Sequence, residues 1–127
     1  MHLSVSLSSG EPIYAQIKEQ IKNQIVSGQL REGEHLPSIR NLAQDLKISV
    51  ITTKRAYDEL EQEGLVTSVS GKGTFVSSRN KESIREMKYR ELEDRLRAAI
   101  KESRALGLTR EDMLQLFAIL YGEEHEA

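Results

Sequence analysis

The stretch 36–76 constrains the fold most, because its hydrophobic period changes from helical to strand-like within a short span. Pro37 breaks the chain ahead of Ser38, and Ile39, Leu42, Ala43 and Leu46 then fall on one stripe of a short helix over about 38–46. Ser49 is placed to cap a second helix that runs to about residue 63, since its hydroxyl can accept from an unpaired first-turn amide. The stripe of that helix is Thr53, Ala56, Tyr57 and Leu60; at about 100° per residue, Ile51 and Arg55 emerge on the opposite side, flanked by Thr52 and Lys54. Beyond Gly64 the segments 65–69 and 74–77 are rich in β-branched and aromatic residues. Ser70-Gly71-Lys72-Gly73 lies between them, which predicts a β-hairpin with a glycine-bearing tip. Helix, tight connection, helix and hairpin together predict a winged helix-turn-helix.

The flanks extend this unit on both sides. Residues 1–10 are serine-rich with little periodicity and predict a loose leader, ended by Gly10 ahead of Glu11 and Pro12 at a helix start. Ile13, Ile17, Ile21 and Ile25, with Tyr14 and Val26, make one apolar face of a first helix, and Gly28 stops it. Residues 29–37 form a connector that Gly33 and Pro37 keep from being helical, with Leu30 and Leu36 as apolar pegs. From Lys81 the chain turns densely charged. There Tyr89, Leu92, Leu96, Ala99, Ser103 and Leu106 step by alternating threes and fours, a heptad-like seam for a partner helix. Gly107 ends this helix, Thr109 with Asp112 resembles a capping box, and Met113, Leu114, Leu116, Phe117, Ile119 and Leu120 predict a final short helix. That helix is apolar on more than one side, so part of it should meet another chain. The expected organisation is a leader over 1–10, a winged helix-turn-helix over 11–78, and a helical dimerisation region over 79–127. The fold class is mainly α with a small β-hairpin, followed by a two-helix appendage.

Composition bears on function through the placement of charge. The 127 residues carry a net charge of −2, which argues against nucleic-acid binding by bulk electrostatics. The distribution of that charge points the other way. Residues 46–57 contain Lys47, Lys54 and Arg55 and no acid, and residues 64–81 contain Lys72, Arg79 and Lys81 and no acid. Asp58, Glu59, Glu61 and Glu63 gather in the second half of one helix, where they can point away from a duplex. The chain has no cysteine, its histidines are scattered, and no carboxylate cluster has ligand spacing, so neither metal nor cofactor is expected. Gly71-Lys72-Gly73-Thr74 lacks phosphate-loop spacing and no nucleophile sits in a catalytic motif, so the chain is not expected to be an enzyme. Nothing at the N-terminus reads as a signal, and the apolar stretch 113–121 is far below the roughly 20 residues that span a bilayer. A cytoplasmic protein is expected.

Five ordered stretches resemble the DNA-binding module of the GntR family of bacterial regulators. They are Pro12-Ile13-Tyr14-Ala15-Gln16-Ile17, Gly28-Gln29-Leu30, Leu36-Pro37-Ser38-Ile39-Arg40-Asn41-Leu42-Ala43, Thr52-Thr53-Lys54-Arg55-Ala56-Tyr57-Asp58-Glu59-Leu60-Glu61 and Gly71-Lys72-Gly73-Thr74-Phe75-Val76. The short two-helix tail resembles the YtrA-like subfamily, in which that part serves dimerisation. The resemblance implies that Arg40 contacts the DNA backbone or a base edge. It likewise implies that Ser49, Val50, Ile51, Thr52 and Lys54 form the groove-facing start of the recognition helix, and that Gly71 with Lys72 enters the minor groove. Ser38 and Arg55 complete the candidate set. Leu92, Leu96, Ala99, Leu106, Leu114, Phe117, Leu120 and Tyr121 are the candidate dimerisation residues. A homodimeric repressor of a two-fold-symmetric double-stranded operator is implied, with no effector ligand identified. Two positions depart from the family pattern. Val50 stands where a cation is common, so it cannot make a bidentate guanine contact. Lys47 stands where Gly or Asn is frequent, and a left-handed backbone there would cost about 1–2 kcal/mol. The residues also permit a winged-helix protein-interaction module that does not bind DNA.

Overall fold

The computed structural model describes residues 1–77 and 79–126, so Ser78, the last residue of the expected DNA-binding domain, lies outside the described residues. The elements are α1 (Ile13–Val26), α2 (Ile39–Leu46), α3 (Val50–Gln62), β1 (Val66–Val69), β2 (Gly73–Val76), α4 (Lys81–Ala105) and α5 (Arg110–Glu126). They divide into two compact units, Met1–Glu86 and Met87–Ala127.

The isoleucine stripe of α1 places Ile17, Ile21 and Ile25 in the core of the first unit, against Leu42 of α2 and Ala56, Tyr57 and Leu60 of α3. Leu30 and Leu36, the two pegs of the connector, are buried there as well. So is Ile84 from the first turn of α4, which carries the core past the expected boundary at 78. Both helices of the helix-turn-helix begin with a serine cap: Ser38 Oγ accepts from Asn41 N at 3.1 Å and Ser49 Oγ from Thr52 N at 3.0 Å. Between them Lys47 is left-handed, at φ 57 and ψ 47, and the Ile48 amide donates back to the Ala43 carbonyl at 3.0 Å to close α2.

β1 and β2 pair antiparallel, from Val66 opposite Val76 to Val69 opposite Gly73. At the tip Lys72 N donates to Val69 O, and Gly71 takes the positive φ that this turn requires. The connector, expected only to be non-helical, contributes a third strand-like segment. Gly33 N donates to Val76 O, Val76 N to Glu34 O, and Leu36 N to Thr74 O, so both edges of β2 are satisfied. His35 packs on Phe75 with ring centroids 4.8 Å apart and the rings tilted by 38°; a Cβ at Gly73, whose φ is 111, would meet His35 Nε2 at 2.5 Å, so a side chain there would strain the backbone and displace the imidazole.

The leader is not loose. Its amides pair with glutamine side chains spaced by four along α1. Ser6 N donates to Gln16 Oε1 while Gln16 Nε2 donates to Ser6 O; Ser4 and Gln20 do the same, and Gln24 Nε2 donates to His2 O. Every second residue of an extended chain advances nearly as far as every fourth residue of a helix, so the two repeats run in register. Leu3 and Val5, the residues between, pack against the core. A search for apolar periodicity passes over this pattern because the matching repeat is polar.

In the second unit the Thr109–Asp112 capping box forms reciprocally: Thr109 N donates to Asp112 Oδ2 and Asp112 N to Thr109 Oγ1. The backbone hydrogen bond from Thr109, and after it the bond with the Thr109 hydroxyl, holds the Asp112 pKa below its ordinary value. Gly107 turns left-handed and Leu108 N donates to Ser103 O. α5 runs for 17 residues, longer than the expected short helix, because one interior glycine, Gly122, costs only about 1 kcal/mol. Leu92, Leu96, Ala99, Leu106, Leu114, Phe117, Leu120 and Tyr121 are all exposed, and none of the large apolar side chains described in this unit is buried. No helix among the described residues is long and apolar enough to cross a membrane.

Candidate nucleic-acid interface

The start of α3 presents two apolar side chains and a hydroxyl pair. Val50 is 48% and Ile51 81% exposed, large values for such residues on a helix whose other face carries the core. Ser49 Oγ accepts from Thr52 N and gives its own proton to Thr52 Oγ1 at 2.7 Å, which leaves the Thr52 hydroxyl proton free to donate outward. Methyl groups and hydroxyl donors at a helix start can touch thymine methyls and phosphate oxygens. Ser38 and Arg40 sit at the corresponding start of α2, both exposed. That start is anchored by Tyr57, whose buried hydroxyl donates to the Pro37 carbonyl at 2.8 Å; burial pushes the Tyr57 pKa far up, so this donor keeps its proton.

The candidate cations separate by their partners. Arg40, Lys47 and Lys72 have no ion pair or side-chain hydrogen bond among the described residues. Lys54 is paired with Asp58 at 2.7 Å, but both side chains are more than half exposed. Such a pair is worth a few tenths of a kcal/mol, so a phosphate can compete for Lys54. Arg55 is exposed on the side opposite the buried stripe, as expected, but it is not free: its guanidinium lies over the Tyr14 ring at 3.6 Å, donates to the Tyr14 hydroxyl and pairs with Glu59.

The acids of α3 and its cap are each occupied inside the unit. Glu59 pairs with Lys18 and Arg55, Glu63 with Lys18 and Lys22 at 2.8 Å, Asp58 with Lys54, and Glu61 accepts from the Ser68 amide of β1. Lys18 and Lys22, absent from the sequence-derived candidates, thus neutralise carboxylates that would otherwise repel a duplex. The signal for them is a lysine pair spaced by four on α1, matching a glutamate pair spaced by four near the end of α3.

The same network sets a pH dependence. Burial opposes the charge on Glu63, but its bonds to Lys18 and Lys22 outweigh that and hold its pKa below 4.5; the Lys18 bond does the same for Glu59. Lys18 is opposed by burial too, and its glutamate partners hold it above 10.5. The lowered carboxyls therefore add stability that is present above 4.5 and lost as pH falls through their folded values, while the Lys18 contribution is lost only as pH rises beyond 10.5. Urea midpoints should fall on acidification below pH 4.5, and Lys18→Met should flatten that acid limb. An equally steep limb in the variant would remove the network from the explanation.

Known proteins are similar to this chain in both sequence and fold. The family described as "Bacterial regulatory proteins, gntR family" matches residues 13–76. Two Bacillus subtilis (strain 168) proteins are similar along most of the chain. The uncharacterized HTH-type transcriptional regulator YhcF is 37% identical over 107 residues, 84% of this chain and 88% of that protein. The HTH-type transcriptional repressor YtrA is 32% identical over 111 residues, covering 87% and 85%. A solved transcriptional regulator from Oenococcus oeni matches with a TM-score of 0.71 at 28% identity, over 94% of this chain and 99% of that one. AraR(DBD), solved in complex with operator ORX1, matches with a TM-score of 0.54 at 34% identity, over 61% and 99%. These proteins are regulators rather than enzymes, and the fold they share with this chain is the winged helix.

Proposed function

Because the chain belongs to the gntR family of bacterial regulatory proteins, we propose that it is a transcriptional repressor that binds a two-fold-related operator as a homodimer. Each protomer lays α3 in a major groove and the tip between β1 and β2 in the adjacent minor groove. The observation that carries this reading is the sorting of charge in the first unit. Residues 1–79 hold nine Lys or Arg and nine Asp or Glu, yet the α3 acids are all engaged while Arg40, Lys47 and Lys72 are free among the described residues. A near-neutral domain can then offer phosphates a cationic surface. Val50 and Ile51 supply apolar contact to thymine methyls, with shape readout where Val50 replaces a guanine-reading cation. The homodimer is supported by the exposed apolar side chains of α4 and α5. Leu92 and Leu96 on one helix and Leu114, Phe117 and Leu120 on the other have no cover of their own, and a second copy offers an identical apolar surface. Two half-sites then reinforce a modest affinity.

Binding to a duplex from the region upstream of its own gene, measured across a salt series, tests the reading. Affinity should fall with a log-log slope of several units, and Lys72→Ala or Lys54→Ala should each reduce that slope by about 1. Salt-independent affinity, or no binding to any two-fold-symmetric duplex, would instead identify a winged-helix module that engages protein.

A further inference from the structure

Lys47 is the one non-glycine residue with positive φ among the described residues, at φ 57 and ψ 47. It closes α2 in the tight connection that leads through Ile48 to the Ser49 cap of α3. A side chain there is strained, since Cβ crowds the following carbonyl, and glycine at this position would relieve it. Neither a side-chain hydrogen bond nor an ion pair offsets the strain: Lys47 is exposed and has no partner among the described residues, although Asp45 and Asp58 lie on the adjoining helices. The turn needs the left-handed backbone but not a side chain on it, so a lysine kept where glycine would be unstrained points to a task outside the folded chain.

We infer that Lys47 is a phosphate-binding residue of the DNA interface, held by its left-handed backbone beside the start of α3. The inference rests on the DNA-binding reading and adds to it a contact that the neighbouring residues leave open. The first turn of α3 is Val50, Ile51 and Thr52, with no cation of its own, and its next cation, Lys54, is shared with Asp58. An ammonium on the turn just before Ser49 supplies the positive charge where the recognition helix meets the backbone. It acts on phosphate and carries no sequence information, so its loss weakens binding to every duplex alike. It is a point charge on a flexible stem, suited to one phosphate oxygen rather than to a base edge.

The experiment compares the full chain with Lys47→Gly and Lys47→Arg, by urea unfolding and by salt-dependent binding to two duplexes of equal length, one from upstream of its own gene and one unrelated. Lys47→Gly should raise the ratio of folded to unfolded protein by about three- to tenfold. It should also weaken binding to both duplexes by a similar factor and lower the log-log slope by about 1. Lys47→Arg should keep the slope. A Lys47→Gly protein that is more stable and binds both duplexes with the parent's affinity and slope overturns the inference while leaving the DNA reading intact. Loss on the cognate duplex alone overturns it too, because that would make Lys47 a base reader. If the parent itself shows no salt-dependent binding, the DNA reading falls and Lys47 with it.

Discussion

A chain ended after Glu86 is expected to sediment as a folded monomer and to bind its operator at least about a hundredfold more weakly than the full chain. The cut point matters. Ile84 is 8% exposed and belongs to the core of the first unit, and Asn80 Nδ2 donates to the Glu63 carbonyl at the end of α3. Ending the chain at Asn80 would strip Ile84 from that core and confuse lost stability with lost dimerisation, whereas ending it at Glu86, six residues into α4, keeps the first unit whole and removes the second with its exposed apolar side chains. The size of the effect follows from linkage. Once one protomer is bound, a tethered second half-site is met at an effective concentration near millimolar, an advantage of about two to four powers of ten that a monomer forfeits. Sedimentation decides the assignment: a truncated chain that remains dimeric would place the interface in the first unit.

Ile21→Ala should strongly damage folding while leaving the DNA surface untouched. Ile21 is fully buried between α1 and α3. Removing its branched chain forfeits transfer free energy and leaves a cavity, about 2–5 kcal/mol together. Against a total stability of about 5–15 kcal/mol for a domain of this kind, that is a large share. Urea unfolding gives the loss directly. Operator affinity, corrected for the folded fraction, should be unchanged, since α1 holds none of the proposed contacts. A loss of under about 1 kcal/mol would mean that the site collapses around the smaller side chain.

How far the fold is legible in the sequence depends on the range of the interaction. The serine caps at Ser38 and Ser49, the Thr109–Asp112 box, the Gly71 turn and the Thr53, Ala56, Tyr57 and Leu60 stripe are set within a few residues, and each forms as its local chemistry implies. Lys47 belongs here too, since the turn itself calls for the left-handed backbone that it adopts. Three features are not legible. The connector pairs with β2 because β2 has an edge that only the assembled core brings next to residues 33–36. The leader is ordered because extended and helical repeats of polar residues come into step only once α1 exists as a helix. Arg55, though exposed, is engaged because Tyr14, 41 positions away, comes within reach of it.

The amino-acid order by itself determined the kind of fold: periodicity, caps and glycine turns act through neighbours, and they specify helix, turn, helix and wing between Leu36 and Val76. Tertiary structure alone decided which charges remain for a partner. Lys18 with Glu59 and Lys22 with Glu63 each join residues 41 apart. Whether such a pair forms depends on how α1 lies across α3, and that crossing is set by the packing of their apolar faces rather than by the charges themselves.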